Sequence, residues 1–259
     1  MTGSFRFISR AKGRILPLDD PMRAPYGLEI IEDCLSCPHR ADQLFCGLSH
    51  SAVQRLAAIT SPSIHPKGAT LFVEGQASRG VFILCQGRVK LSTTSIDGKT
   101  LITRISDDGD VLGLPATVTG KPYELTADVI ESTQANFIAR SDFLEFLAEN
   151  GEVGVRVAQQ LAEIYQAAIA EMRTIGLGHS AARKLARLLL DLSADRDTGT
   201  GETRMTLTFT HEEIAQMIGT SRETVTRILS SFKRRDLVDV RGSTLIIRNR
   251  PWLQHLSGE

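Results

Sequence analysis

The chain has 259 residues, of which 42% are hydrophobic and 23% charged, an ordinary composition for a soluble globular protein with room for two small domains or one large one. Its formal net charge of zero hides an asymmetry: Arg204–Glu259 holds nine Lys/Arg against six Asp/Glu, so that segment carries +3 and the remainder −3, a positive excess where a polyanion would bind. No apolar run approaches the roughly 18 residues of a membrane helix, and the basic start Phe5-Arg6-Phe7-Ile8-Ser9-Arg10 lacks the apolar stretch of a signal peptide, so a cytoplasmic protein with no membrane partner is expected.

Residues 1–33 contain Pro17, Pro21, Pro25 and Gly27 with little periodicity and read as a loosely ordered N-terminal arm. Residues 34–150 read as a cysteine cluster followed by a β-roll. Three of the four cysteines, Cys34, Cys37 and Cys46, fall within thirteen residues. In a reducing compartment such a cluster more often binds metal or senses redox state than forms a structural disulfide. A short helix is predicted from Ser49 through Val53, Leu56 and Ala57 by its apolar spacing. From His65 onward, glycines punctuate β-rich runs at Thr70–Val73, Val81–Cys85, Val89–Thr93, Leu101–Ile105 and Phe137–Ala139. Short strands at this spacing indicate an antiparallel roll or barrel. Helical periodicity returns at Ser141, with Phe143, Leu144, Phe146 and Leu147.

Residues 151–178 carry Val157, Leu161, Ile164, Ala168, Met172 and Ile175 at spacings of three and four, the narrow stripe of a helix pairing with one partner helix. That partner is either a second copy of the chain or the roll of the same chain. Gly176 and Gly178 end the helix and make a hinge. Within 179–259, Ser180 caps a helix bearing Leu185, Leu188, Leu189 and Leu192, and Ser193–Glu202 is a polar loop. An α+β chain is therefore expected, with an N-terminal antiparallel β-roll, a long dimerisation helix and a C-terminal winged helix-turn-helix.

The last assignment rests on Thr210 and Glu213, a T-x-x-E capping box that starts a short helix with Ile214, Met217 and Ile218 inward. Gly219 is its stop, and Thr220 with Glu223 makes a second box ten residues on. Two short capped helices joined through one glycine are the local grammar of helix-turn-helix. In the second helix Val225, Ile228, Leu229 and Phe232 form the buried face. Glu223, Thr226, Arg227 and Ser230 lie opposite, flanked by Arg222. That N-terminal half enters the major groove in this motif, where Arg bridges guanine O6 and N7 and Glu accepts from cytosine N4. Lys233, Arg234 and Arg235 end the helix and suit phosphates. Leu237–Val240 and Thr244–Ile247 read as a two-stranded wing about Arg241-Gly242. The expected DNA-binding set is Ser221, Arg222, Glu223, Thr226, Arg227, Lys233 and Arg234. A helical hairpin whose charges merely solvate its surface is the bland alternative; the coincidence of caps, turn, wing and basic end speaks against it.

The run THEEIAQMIGTSRETVTR at Thr210–Arg227 resembles the DNA-binding signature of the CRP/FNR family of bacterial regulators. The resemblance covers most of the chain: a cyclic-nucleotide-binding-like roll, dimer helix, hinge and winged helix in the family's order. It implies a symmetric dimer on double-stranded DNA, RNA polymerase as a further partner, and no enzymatic activity. Arg222, Glu223 and Arg227 match the Arg-Glu-x-x-x-Arg base-reading set of the CRP branch, which implies a palindrome of TGTGA-type half-sites. The FNR branch has Glu-x-x-Ser-Arg, and here Thr226 stands where the Ser would. Cyclic-AMP binders of the family carry Gly-Glu for the ribose and Arg-Ser for the cyclic phosphate. The matching stretches here are Gly113-Leu114 and Glu124-Leu125-Thr126-Ala127. Leu125 replaces the only cation and Glu124 repels phosphate, so cyclic AMP is not expected.

Cys34-x2-Cys37-x8-Cys46, with Cys85 later, supplies four thiolates, the number that holds a [4Fe–4S] cluster. This resembles the N-terminal cysteines of FNR, whose oxygen-labile cluster controls dimerisation. Two departures stand out. FNR has a shorter spacing before its third ligand, and its fourth ligand aligns near Asn136, whereas Cys85 lies on an early strand. Cys85 has the parity opposite to Phe82 and Leu84, which turns it away from the roll interior and toward the arm. The expected metal ligands are Cys34, Cys37, Cys46 and Cys85. The alternatives are a thiol–disulfide switch, zinc, haem, another small ligand or idle cysteines, with Cys85 a packed core residue. An enzyme, cupin-like or thiol-based, is the rival class. No histidine lies between His65 and His179, which leaves a cupin-type metal set without donors, and nothing pairs a base with Cys34 or Cys37.

Overall fold

A computed structural model of the chain describes residues 25–28, 30–31, 34–35, 37, 45, 47–176 (backbone alone for 174–176), 180–194 and 202–258. The N-terminal arm at 1–33 lies largely outside the described residues, as do Cys46, Gly178 and most of the polar loop at 193–202. The described residues fall into two compact units, one drawn from 25–93 with 104–166 and one from 94–103 with 167–258. Among the described residues no helix is long and apolar enough to cross a membrane.

The first unit opens on α1 (His50–Ile59), N-capped by Ser49, whose Oγ accepts from the Ala52 N–H at 3.4 Å. Six strands make one sheet: β1 (Ser61–His65), β2 (Thr70–Phe72), β3 (Gly80–Thr94), β4 (Thr100–Ser106), β5 (Val111–Leu112) and β6 (Thr126–Ala139). Their order is β1-β6-β3-β4, with β2 on β6 and β5 on β3. A short helix α2 (Leu114–Thr119) precedes β6, and α3 (Arg140–Glu149) and α4 (Gly151–Gly176) follow it. Strand alternation sorts β3 into two cores. Val81 and Ile83 join α1, α3 and the start of α4 in one core, through Val53, Leu56, Phe143, Phe146, Val153 and Val157. Leu84, with Phe82 against it, joins Phe72, Val89, Leu112, Tyr123 and Val129 in the other, which fills the roll. Phe72 stacks on Tyr123 at 4.1 Å between centroids, and the Tyr123 hydroxyl donates to Gly80 O at 2.8 Å.

The two runs expected at Val81–Cys85 and Val89–Thr93 are one strand, β3. Gly87 does not break it. Its φ of 104° and a would-be Cβ 2.4 Å from Ser132 O admit only glycine, and the chain passes through as an irregularity in the β3–β6 register. Leu84 and Gln86 pair with the consecutive residues Ala135 and Gln134, so Cys85 between them is the extra, bulged residue.

The second unit carries α5 (Ala181–Leu192), capped by Ser180 as expected, then β7 (Thr203–Thr206), α6 (His211–Ile218), α7 (Arg222–Arg234), β8 (Val238–Arg241), β9 (Thr244–Ile247) and α8 (Arg250–Ser257). The wing is a three-stranded sheet of order β7-β9-β8 rather than a two-stranded hairpin, because β7 pairs along the whole of β9. Helix α8 packs its Trp252 edge-on to Phe232 of α7 at 5.8 Å.

Candidate functional site

The Thr210–Glu213 capping box forms in full: Thr210 N–H donates to Glu213 Oε2 at 2.8 Å and Glu213 N–H to Thr210 Oγ1 at 3.2 Å. Gly219 follows in the left-handed region, φ 64° and ψ 49°, and its N–H closes on Ala215 O. The second box, expected from Thr220 and Glu223, does not form. Thr220 spends its N–H on Ala215 O at 2.9 Å, still finishing α6. Ser221, extended at φ −92° and ψ 153°, is the N-cap of α7 and accepts from Thr224 N–H at 3.3 Å. Val225, Ile228, Leu229 and Phe232 are buried, as their spacing predicts.

On the opposite side Arg222, Glu223, Thr226 and Arg227 line a single open concavity at the N-terminal half of α7, all exposed. Glu223 lies in the first turn, and its own backbone N–H, then the Ser221 hydroxyl, hold its carboxyl below the usual range. It is therefore an anion, able to accept from a base amine. Thr226 differs from expectation in its chemistry. Its hydroxyl donates to Arg222 O at 3.0 Å and meets His211 Nδ1 at 2.9 Å. The hydroxyl is thus engaged within the protein. His211, on α6, is a contact that sequence periodicity cannot reveal, since only the packing of α6 on α7 creates it.

The basic end of α7 is also more organised than its sequence suggests. Lys233 Nζ lies 3.1 Å from Asp239 Oδ1, while Arg241 Nε and Arg248 Nη2 approach Oδ2 at 2.8 and 3.5 Å. The hydrogen bonds of Lys233 and then Arg241 hold the Asp239 carboxyl down to about 2. Lys233 and Arg241 stay largely exposed behind that shared anion, so their remaining N–H groups face solvent. Arg234 is exposed at the same end, and Arg235 lies over the Trp252 ring at 4.2 Å.

The cysteines converge elsewhere. Cys34 and Cys37, from the chain before α1, and Cys85, from the bulge in β3, line one cavity of about 20 Å³ with Ile31, Val53, Leu56, Ile83 and Asn136. Cys46 lies outside the described residues; its neighbour Phe45 is fully buried in the core that Cys34 packs against. Among the described residues no three His, Cys, Asp or Glu side chains already form a closed metal-ligand set. Two carboxamides on one face of β6 shape this cavity's approach. Gln134 accepts from Ile31 N–H at 2.8 Å and donates to Ile31 O at 2.7 Å, and Asn136 Nδ2 donates to Cys34 Sγ at 3.7 Å. Both are polar residues buried on the strand; in the sequence Asn136 stands out only as the position that aligns near the FNR fourth ligand, and nothing marks Gln134.

A roll, a long helix and an exposed winged helix-turn-helix define the class, a DNA-binding regulator. Comparison with known proteins agrees. Residues 64–150 match the cyclic nucleotide-binding domain and residues 183–256 the Crp-like helix-turn-helix domain. The chain belongs to the CRP/FNR family of transcription regulators. It is 27% identical over 205 residues to a CRP-like cAMP-activated global transcriptional regulator of Mycobacterium tuberculosis, covering 79% of this chain and 91% of that one. In fold it is similar to FixK2 of Bradyrhizobium japonicum (TM-score 0.66, 23% identity, 76% and 97% of the two chains). It is also similar to CLP, the c-di-GMP-responsive regulator of Xanthomonas campestris (TM-score 0.67, 17% identity, 77% and 99%).

Proposed function

We propose that the chain acts as a homodimer reading a palindrome of TGTGA-type half-sites, gated by oxygen or redox state through a [4Fe–4S] cluster on Cys34, Cys37, Cys46 and Cys85. The DNA half of this reading is supported by the shared exposed face of Arg222, Glu223, Thr226 and Arg227, whose donors, acceptor and methyl suit guanine, cytosine and thymine edges. Dimerisation is supported by α4. Val157 of its apolar stripe is buried within the chain, whereas Ala168 is exposed and Met172 is 63% exposed. RNA polymerase as a further partner rests on the family alone. The relative from Mycobacterium tuberculosis is cAMP-activated by name. Here Leu125 in place of the phosphate-binding Arg, and the Phe72–Tyr123 stack inside the roll, favour a different signal.

The gating half is carried by one observation, the meeting of Cys34, Cys37 and Cys85 at one cavity. The donors fit an iron–sulfur cluster in kind, being soft thiols in an apolar surround of Ile31, Val53, Leu56 and Ile83. When bound, such a cluster supplies a redox-active, oxygen-sensitive centre. The chain's own residues connect that place to α4. Cys34 and Leu35 pack against the core that contains Val153 and Val157. Ser49 N–H donates to Glu152 Oε2 at 3.2 Å, and Ser49 Oγ also donates to that carboxylate.

Anaerobic purification tests the gating. A brown protein with about four irons per chain, whose affinity for the palindrome changes on admitting air, is the expected result. The cavity's small volume, room for about one water-sized group, favours a second reading, a single thiolate-bound ion such as zinc. A colourless zinc protein would select that reading. Metal-free protein that binds DNA equally with and without oxygen would sink the gating and leave the DNA reading intact.

A further inference from the structure

We propose that Asp239 is a positioning residue for DNA, holding Lys233 at the end of α7 and Arg241 at the wing as a preformed two-cation grip on one backbone phosphate. This rests on the DNA half of the reading given above. Lys233 is expected from the sequence to meet phosphates; Asp239 and Arg241 are not in that set. The three come from α7 and β8, and only the fold brings them together. Lys233 Nζ lies 3.1 Å from Asp239 Oδ1, and Arg241 Nε donates to Oδ2 at 2.8 Å. The Asp239 side chain is 12% exposed, against 60% for Lys233 and 69% for Arg241. The anion therefore lies beneath, with the cations outermost.

The sheet fixes this arrangement. Asp239 and Arg241 are two residues apart on β8 and so share a face of the strand, while Asp239 pairs with Ile246 of β9. Arg248, just past β9, reaches Oδ2 at 3.5 Å through Nη2 and Asp236 at 3.2 Å through Nη1. It is the least exposed of the three cations and ties the anion to the turn after α7. Arg241 commits only Nε and keeps both terminal nitrogens, and Lys233 keeps two of its N–H groups. A phosphodiester carries its charge on two oxygens, as a carboxylate does, so cations held either side of one carboxylate are spaced to grip a phosphate on their open side. Long side chains anchored at their charged ends before DNA arrives lose less freedom on binding. An anion with no such task would only repel DNA here, so charge alone and positioning predict opposite signs for its removal.

The test measures the affinity of the full chain for a duplex carrying two TGTGA-type half-sites and for a random duplex of equal length, over a range of salt. Asp239→Asn removes a negative charge, which by itself tightens binding to a polyanion. It is expected instead to weaken binding to both duplexes about fivefold. Lys233→Met and Arg241→Met, at exposed positions, are each expected to lower the salt slope by about 0.9. In the chain carrying both of those substitutions, Asp239→Asn is expected to cost nothing further, because it acts through them. An Asp239→Asn protein that binds as tightly as the parent, or more tightly, overturns the proposal, and so does a loss that persists in the doubly substituted chain. Should Asp239→Asn not fold, the salt slope of Arg241→Met decides: a lowered slope supports the grip and the parent's slope overturns it. A parent that binds neither duplex overturns the DNA reading instead.

Discussion

Arg222 and Arg227 differ from Arg234 in what they offer DNA, although all three are exposed on α7. The first two share the concavity with Glu223 and Thr226, which on the proposed reading faces base edges; Arg234 stands at the basic end beside the Lys233–Asp239 pair. Arg222→Ala or Arg227→Ala is expected to cost about 1–3 kcal/mol of discrimination against a wrong base, flattening the preference for the palindrome over random duplex. Arg234→Ala is expected to weaken specific and random binding alike and to reduce the salt slope by about 0.9. Titrations of both duplexes at several salt concentrations check this, and equal loss of preference in all three variants would contradict the division. The shared exposed face of Arg222, Glu223, Thr226 and Arg227 was legible in the sequence because a helix turns 100° per residue. What was not legible at this scale arises from tertiary meetings: the His211–Thr226 contact, the Asp239 anchor and the two carboxamides of β6 each join residues that local periodicity treats separately.

At the scale of elements, the two T-x-x-E signatures look equivalent in the sequence and behave differently in the fold. Thr210 begins a helix after a free approach, so its box closes. Thr220 follows Gly219 immediately and its N–H is committed to Ala215 O, so the first residue free to cap α7 is Ser221. Ser221→Ala is therefore expected to destabilise the second unit by about 1 kcal/mol, and Thr220→Ala to leave the stability nearly unchanged, as followed by denaturant midpoints. The reverse order would restore the second capping box. The same competition between local signal and long-range pairing explains the strands. Gly87 reads as a break but lies at an irregularity inside β3, because β6 supplies partners on both sides of it. The polar half of β6, the short β1 and β5, and the eight-residue α8 carry too little periodicity to stand out, and pairing or the Phe232–Trp252 contact defines them.

For the molecule as a whole, the decisive element is α4, because its two ends face different tasks. The beginning is locked into the first unit: Val153 and Val157 are in its core, and buried Gln160 donates to Val111 O at 3.2 Å. Farther along, Leu161 and Ile164 are half-buried and Ala168 and Met172 exposed, so the stripe seen in the sequence is only partly spent within the chain. A stripe of this period left open to water is stabilised by a matching helix, and the palindrome implied by the base-reading set needs a two-fold partner. Ala168→Glu with Met172→Glu would place like charges across such a seam without touching a buried residue of the chain. The double variant is expected to sediment as a monomer, with the helical circular dichroism of the parent and a Tm that no longer rises with protein concentration. It is also expected to bind an isolated half-site as the parent monomer does while losing the joint affinity for two half-sites about one helical turn apart. A variant that still sediments as a dimer would remove α4 from the proposed interface.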